Sequence, residues 1–301
     1  MKTSKMMLRV AGFILLFTIA AATAADAPTL TFKFSTVQVK NAQDTHVYGV
    51  NNAGVMVGRY VDSAGIDHGM KLVGNKLTTL DDPSGSDTFC YNINSANVIV
   101  GTYTNSSNNP QAFIYQNKHF GDIKPTGAVA SYAFDINDDG FVIGTYIDSA
   151  GAIHGFLWNG KKMYKTVDVP GASYTVASGI NNNRLITLNW GDSAGNAESA
   201  LYSGKTYRII KKRLNVPGAV GSNANSIDSA GDVVYSWTDS TGLHHGALCT
   251  ECASPGRKYY KFHDPKGTNG TYGDGINDHR LIVGVYFTNG GATAEGFKAT
   301  Y

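Results

Sequence analysis

The chain has 301 residues, 42% hydrophobic and 11% aromatic, with 35 Gly and only 8 Pro. That is enough to bury a sizeable core in one large or two ordinary domains. The formal charge of +2 depends on Lys2, Lys5 and Arg9; without them 22 basic residues face 23 acidic ones, a formal −1, and the case for a nucleic-acid partner disappears.

Those three cations open a targeting segment. Val10–Ala22 follows as thirteen apolar residues, and Ala22–Ala24 is a small-residue cleavage site. Thirteen residues are too few for a bilayer core that needs about 20. The sequence therefore predicts a signal peptide over residues 1–24, cleaved near Ala24, and a secreted or periplasmic mature chain. No later run is long and apolar enough to cross a membrane.

Next comes an isolated strand, LTFKFSTVQV at Leu30–Val39, and then a repeat. GVNNAG, NINSAN, DINDDG, GINNNR, SIDSAG and GINDHR align on Asn51, Asn94, Asn137, Asn181, Asp228 and Asn277, in steps of 43, 43, 44, 47 and 49 residues. A period in the forties with strand-like content is that of a β-propeller. The third repeat reads as four strands, a to d: SYAFDI, FVIGTY, IHGFLW and, after the Asn159-Gly160 hairpin signal, KMYKTVDV. The sixth repeat stops after strand c. The Leu30–Val39 strand resembles a missing strand d, so it is expected to complete the last blade and close the ring. The reading is an all-β, six-bladed propeller of four-stranded antiparallel blades. Its blades span 44–82, 87–124, 130–169, 174–216, 222–264 and 271–301 with 29–40, as a single domain over 25–301.

Six repeats give six copies of each position. The anchor Asn or Asp is read as a turn residue that bonds the backbone two residues on. Nine residues after it the side chain is always aromatic: Tyr60, Tyr103, Tyr146, Trp190, Trp237 and Tyr286. Inter-blade packing and a ring of sugar-stacking platforms both fit that pattern. Six before it a hydroxyl always stands: Thr45, Thr88, Ser131, Thr175, Ser222 and Thr271. Backbone capping at the start of strand a, or a polar ring at a channel mouth, would explain it. His68, His154 and His245 share one position in strand c, where the other blades carry Gln111, Glu198 and Glu295. Strand c lies about 10 Å outside strand a, so these histidines diverge too far to share a metal at ~2 Å bond lengths. They are expected to bond within or between blades.

The pattern GIN…VIVGTY…DSAG…HGF resembles the secreted proteins with extracellular repeats named for a His-Ala-Phe tripeptide, the HAF family, over Asp44 to Tyr301. This chain writes His-Gly-Phe, His-Gly-Met and His-Gly-Ala. Blades 4 and 5 also lack the strand-b glycine found as Gly58, Gly101, Gly144 and Gly284. The resemblance implies a secreted propeller and no defined activity.

Candidate chemistry falls at the axial start of strand a, beside the variable d–a connections; loops on a rigid frame commonly carry binding. Five before the anchor stand His46, Phe89, Tyr132, Val176, Asn223 and Tyr272. Three before it stand Tyr48, Tyr91, Phe134, Ser178, Asn225 and Asp274, aromatic in blades 1–3 and small or polar in blades 4–6. One aromatic side and one polar side suit a sugar, with ring faces for stacking and amides or a carboxylate for hydroxyls. The candidate ligand-binding set is Asp44, His46, Asp87, Phe89, Tyr132, Asn223, Asn225, Tyr272 and Asp274. The expected partner is a glycan or cell-envelope component bound by a monomeric chain. The rival is a lactonase-like hydrolase or a lyase using acids and His46. No cofactor is required; a close carboxylate pair would leave room for Ca²⁺, although no recognisable spacing supports it. Cys249 and Cys252, in CTEC, are expected to form a disulfide at the c–d turn of blade 5, and Cys90 to be a small buried residue. Lys205, Arg208, Lys211, Lys212 and Arg213 read as a solvated outer edge that blocks sheet-to-sheet pairing, with binding of an anionic polymer as the alternative.

Overall fold

A computed structural model describes residues 29–161 and 164–301; the expected targeting segment, 1–24, lies outside them. β1 (Lys33–Val37) comes first. Blade 1 holds β2–β5 (Asp44–Val50, Met56–Val61, Asp67–Val73, Lys76–Thr79). Blade 2 holds β6–β9 (Gly85–Ile93, Ile99–Asn105, Pro110–Gln116, His119–Ile123). Blade 3 holds β10–β13 (Ala128–Ile136, Val142–Asp148, Ile153–Trp158, Tyr164–Thr166). Blade 4 holds β14–β17 (Tyr174–Ile180, Leu185–Gly191, Ala197–Ser203, Arg208–Lys212), and blade 5 holds β18–β21 (Gly221–Ile227, Val233–Thr238, His244–Thr250, Lys258–Phe262). Blade 6 holds β22–β24 (Thr271–Ile276, Leu281–Thr288, Thr293–Thr300). Each blade is a four-stranded antiparallel sheet, and the sixth runs β1-β24-β23-β22.

The ring closes as the repeat count demands. β1 pairs antiparallel with β24, Lys33 opposite Thr300 and Val37 opposite Gly296. Phe34 meets Phe297 edge-on at 5.4 Å between centroids, and Phe32 sits 4.9 Å from Phe262 of blade 5. Asp44 of blade 1 adds a latch by accepting the Ala294 amide at 2.8 Å.

Between blades, apolar side chains of facing sheets interleave, in clusters such as Ile143, Leu157, Val167, Ala177, Ile186 and Leu188 between blades 3 and 4. The aromatic ring of strand b is part of this packing. Trp190, Trp237, Tyr103 and Tyr286 are buried; Tyr103 donates to Asp122 at 3.0 Å and Tyr286 to Glu295 at 2.6 Å. The hydroxyl ring caps backbone: Thr45, Thr88, Thr175, Ser222 and Thr271 accept amides of Val39, Asp82, Val169, Val216 and Asp264, at 2.9–3.1 Å. Ser131 accepts the Ala112 amide at 3.0 Å.

The blades lacking the strand-b glycine have exchanged sizes with strand c. Gly58, Gly101, Gly144 and Gly284 pair with Met70, Phe113, Phe156 and Phe297. Leu188 and Tyr235 pair with Ala200 and Ala247. A large residue above a small one becomes the reverse, and the layer keeps its volume, which packed cores tolerate best.

The anchors do more than turn the chain. The Asn51 Oδ1 accepts the amides of Ala53 and Val55 at 3.1 and 3.0 Å, as expected of a turn. Its Nδ2 donates to the carbonyl of Asn94, the anchor of the next blade, at 3.1 Å. Asn94 donates to Asn137, Asn137 to Asn181, Asn181 to Asp228, and Asn277 back to Asn51, at 2.8–3.1 Å. These buried bonds form a belt around the lower rim, broken at Asp228, which has no amide to pass on to Asn277.

Asp228 is also held above the ordinary carboxylate range, at about 6, chiefly by burial. A folded value above the unfolded one means that the native state binds more protons between roughly pH 4 and 6, so this group lowers stability as pH rises through that window. Asp228→Asn keeps the acceptor for the Asp232 amide and supplies the missing donor. It should raise stability by about 1 kcal/mol, the net value of a buried hydrogen bond. The gain in urea midpoint should be larger at pH 7.5 than at pH 4.5; a loss at both values would refute the belt.

Candidate functional site

Strand a of every blade carries a β-bulge at one shared place. The pairing of strand a with strand b shifts between Val47 and Gly49, Cys90 and Asn92, Ala133 and Asp135, Ala177 and Gly179, Ala224 and Ser226, and Gly273 and Gly275. The residue left over in each case is Tyr48, Tyr91, Phe134, Ser178, Asn225 or Asp274. A bulge releases one residue from the ladder and re-aims its side chain. Here all six are aimed at the axis, where they line one cavity of about 370 Å³ together with Tyr174, Val176, Asn189 and Asn223. The volume falls within the usual range for ligand pockets, roughly 300–1,000 Å³.

The two sides differ in chemistry. Tyr48, Tyr91 and Phe134 form a continuous wall with centroids 5.3 and 5.2 Å apart and planes turned by 52° and 64°. Opposite stand Ser178, Asn225 and Asp274. Much of their polar capacity is used inside the protein. Ser178 donates to the Ala224 carbonyl at 2.5 Å, and Asn189 bonds the Ala224 backbone in both directions. Both Asn225 Nδ2 protons are used, on Ser236 and the Gly273 carbonyl, at 2.9 and 2.8 Å. What remains for a ligand is the exposed Asn223 amide, the Asn225 carbonyl oxygen and Asp274. Asp274 makes no hydrogen bond among the described residues, and its Oδ2 is buried. Burial alone pushes its pKa up to about 7.

Below the pocket the channel narrows. The Asp135 carboxylate accepts Asn92 Nδ2 from blade 2 at 2.5 Å and the amides of Ile136 and Ile180, both at 2.7 Å, joining three blades. A Cβ on Gly49 would lie 2.5 Å from the Asn92 Oδ1. The cavity beneath, inside the anchor belt, holds about 70 Å³.

Of the sequence-predicted site residues, Asn223, Asn225 and Asp274 line the pocket. The other six lie outside it. Asp44 is occupied with the Ala294 amide. His46 is buried, with Nε2 3.1 Å from Arg59; burial first and the Arg59 charge second lower its pKa to about 3. Asp87, at positive φ, accepts the Ser86 hydroxyl. Phe89 lies under the Arg59 guanidinium, 5.5 Å from ring centre to Cζ. Tyr132 stacks on Phe134 at 5.9 Å and Tyr272 on His244 at 4.7 Å. The acids and His46 invoked for hydrolysis thus do not converge. In blades 1 and 2 the space beside the ring is taken by Arg59, which donates to Tyr48 at 3.3 Å and forms an ion pair with Asp67. Sequence reasoning missed Arg59, Asp67, Asn189 and Tyr174. Arg59 and Asn189 share a strand-b position occupied elsewhere by Thr102, Thr145, Ser236 and Val285, so its variability among repeats was the available signal.

No family model matches this chain, and no curated protein sequence matches it. Solved structures do. A mutant of the Aleuria aurantia lectin in complex with Fucα1-6GlcNAc superposes with a TM-score of 0.52 at 11% identity, over 88% of this chain and 93% of that one. SapL1 lectin in complex with alpha methyl fucoside gives 0.52 at 10% identity, over 82% and 89%. TolB from Acinetobacter baumannii gives 0.51 at 12%, over 85% and 63%. At these identities the likeness is one of fold.

The strand-c histidines act inside their blades. His68 lies 2.8 Å from Asp81 and 3.4 Å from Asp62; His154 lies 2.7 Å from Asp168 and 3.4 Å from Asp148; His245 lies 2.9 Å from Asp239. Each stacks on the strand-b aromatic, at 4.6–5.0 Å. Among the described residues no group of three or more His, Cys, Asp or Glu is arranged to hold a metal ion. Cys249 and Cys252 are joined as a disulfide, and Cys90 is free and buried. The hydrogen bond to Asp168 outweighs partial burial and raises the His154 pKa. Its contribution is full below the unfolded value of about 6.5 and is lost as pH rises through the higher folded value. Wild-type stability should therefore fall between pH 6 and 8 more than that of His154→Gln, read as urea midpoints; equal slopes would show that the pair is idle.

Proposed function

We propose that this chain is an exported carbohydrate-binding propeller, related in its repeats to the HAF-type extracellular proteins, whose ligand sits in the axial pocket. The observation that carries this reading is the partition of one bulged position around the ring. Three aromatic residues face three small or polar ones across a cavity that a saccharide unit fills. Sugars offer apolar ring faces and outward hydroxyls, and a pocket with one wall of each kind meets both. Lectins in complex with fucosides, similar in fold at low identity, support it. So does the Cys249–Cys252 disulfide, a bond that persists in oxidising compartments. Asp135 and the anchor belt narrow the lower end, which suits a site better than a conduit.

The test is a glycan array followed by calorimetric titration. Tyr91 lies between Tyr48 and Phe134, so Tyr91→Ala should remove the centre of the wall and weaken binding at least about tenfold, given that stacked aromatic contacts and their buried area are worth more than about 1 kcal/mol. Tyr207→Ala, an exposed ring outside the pocket lining, should bind within about twofold of wild type. Equal losses in both variants, or binding untouched by either, would place the ligand elsewhere.

A further inference from the structure

We propose that the axial pocket recognises an ammonium group, carried on a saccharide as a free amino sugar, with Asp274 as its counter-ion and Tyr48, Tyr91 and Phe134 as its aromatic cage. This deepens the carbohydrate reading and rests on it for the sugar, though not for the ammonium.

Three independent observations lead there. The first is the state of Asp274. A buried polar atom is almost always hydrogen-bonded, and a buried carboxylate without a partner is costly. Yet the Asp274 Oδ2 is buried with no partner among the described residues, while the side chain lines the cavity. Asp135, one level lower and three blades away, has a full set of donors. Asp274 is half-buried, so its other carboxylate oxygen is the one open to a ligand in the cavity, and no protein group donates to it among the described residues.

The second is the polarity of the free groups. With both Asn225 N–H groups engaged within the protein, the polar wall presents Asp274 and the Asn225 oxygen as acceptors, and only Asn223 retains an amide donor. The Tyr91 and Tyr174 hydroxyls add donors elsewhere in the lining, so it is the side around Asp274 that a group donating several hydrogen bonds and accepting none complements. An ammonium has three donors and no acceptor.

The third is the shape of the opposite wall. The three rings stand at 52° and 64° to one another, so the wall is a mix of tilted faces and edges. A cation held by the carboxylate of Asp274 within about 6 Å of such rings is attracted by whichever faces meet it. Among the described residues no fixed cation lines the pocket. Arg59, behind Tyr48, is already bonded to Tyr48, His46 and Asp67.

The titratable groups facing Asp274 are the Tyr48 phenol from β2 and the Tyr272 phenol on its own strand, both raised chiefly by burial. From β18 and β19 it is flanked by Asn225 and Ser236, which do not titrate. Asp274 is therefore the group that changes charge near neutrality, and its ionisation sets the pH dependence of ammonium binding.

The experiment titrates the purified full chain at pH 7.0, where Asp274 is about half ionised and the sugar amines still carry protons, with four probes: a glucosamine trimer, its N-acetylated trimer, cellotriose and tetramethylammonium. The glucosamine trimer should bind at least about tenfold more tightly than the N-acetylated one, the value of one charge-assisted hydrogen bond. That preference should shrink at pH 5.5, where Asp274 is protonated. Asp274→Asn should abolish the preference while raising the thermal midpoint, since a carboxylate without a partner is replaced by a neutral amide; a gain in stability rules out misfolding as the cause. Tyr91→Ala should weaken the glucosamine trimer and tetramethylammonium together. Equal affinity for all three saccharides would overturn the ammonium inference and leave the carbohydrate reading standing. Binding of tetramethylammonium alone would do the reverse. Silence with all four probes would overturn both.

Discussion

One side-chain amide, used five times, governs the molecule. The anchor asparagine closes its own turn with its oxygen and reaches the next blade's carbonyl with its nitrogen. Both groups are engaged in fixed directions, so the angle between neighbouring blades is set by a bond at the inner rim as well as by side-chain packing further out. Five such links join the six blades, with the one gap between Asp228 and Asn277. The chain ends are held from both sides of the sheet: Asn277 donates to Asn51 at the rim, Asn52 and Asp278 exchange two bonds beside it, and β1 zips to β24 at the outer edge. Inner and outer locks act on the same closing blade, and β24 is paired on both sides, by β1 and β23.

A rim fixed in this way leaves the bulged position above it free to vary. The bulge hands one residue per blade to the axis without disturbing the ladder on either side, because the next pair resumes two residues on. Six residues of unrelated chemistry can then occupy geometrically equivalent places. Aromatic rings stand in three consecutive blades and small or polar groups in the next three, so the variation divides the cavity into two walls. The scaffold residues show the opposite behaviour: hydroxyls six before the anchor and aromatics nine after it are constant, five of the hydroxyls accepting the equivalent d–a amide and Ser131 that of Ala112 instead.

Much of this was legible in the sequence because repetition supplies its own alignment. The period, the Asn159-Gly160 hairpin, the missing last strand and the orphan Leu30–Val39 strand together specify a closed six-bladed ring, and the variable position at three before the anchor already separates into aromatic and polar halves. Three things were not legible. A sequence has no mark for a residue without a ladder partner, so the bulge that aims Tyr48 or Asp274 inward could not be read. The reach of Asn51 to Asn94 depends on the distance between blades, while its turn role depends only on neighbours two and four residues on. The residues five before the anchor alternate in phase with the bulged set and so looked equivalent to it. In blades 1–3 they lie outside the lining: His46 and Phe89 are engaged by Arg59, and Tyr132 stacks on Phe134. A single basic residue in strand b of blade 1 decided the fate of the first two.

The two axial carboxylates separate support from function. Asp135 and Asp274 are both pushed to about 7, chiefly by desolvation, although Asp135 is buried and Asp274 half-buried with its Oδ2 enclosed. Their surroundings distinguish them. Asp135 receives donors from three blades, and its burial is repaid in cohesion around the narrowest level of the channel. Asp274 receives none among the described residues, although the same bulge holds a serine in blade 4 and an asparagine in blade 5 that are bonded within the protein. A neutral side chain at Asp274 would serve the fold better, and the five other blades have one there. Buried charge without a partner persists where something outside the fold needs it. The proposed ammonium would lie in the cavity of about 370 Å³ that this carboxylate lines together with the three aromatic rings.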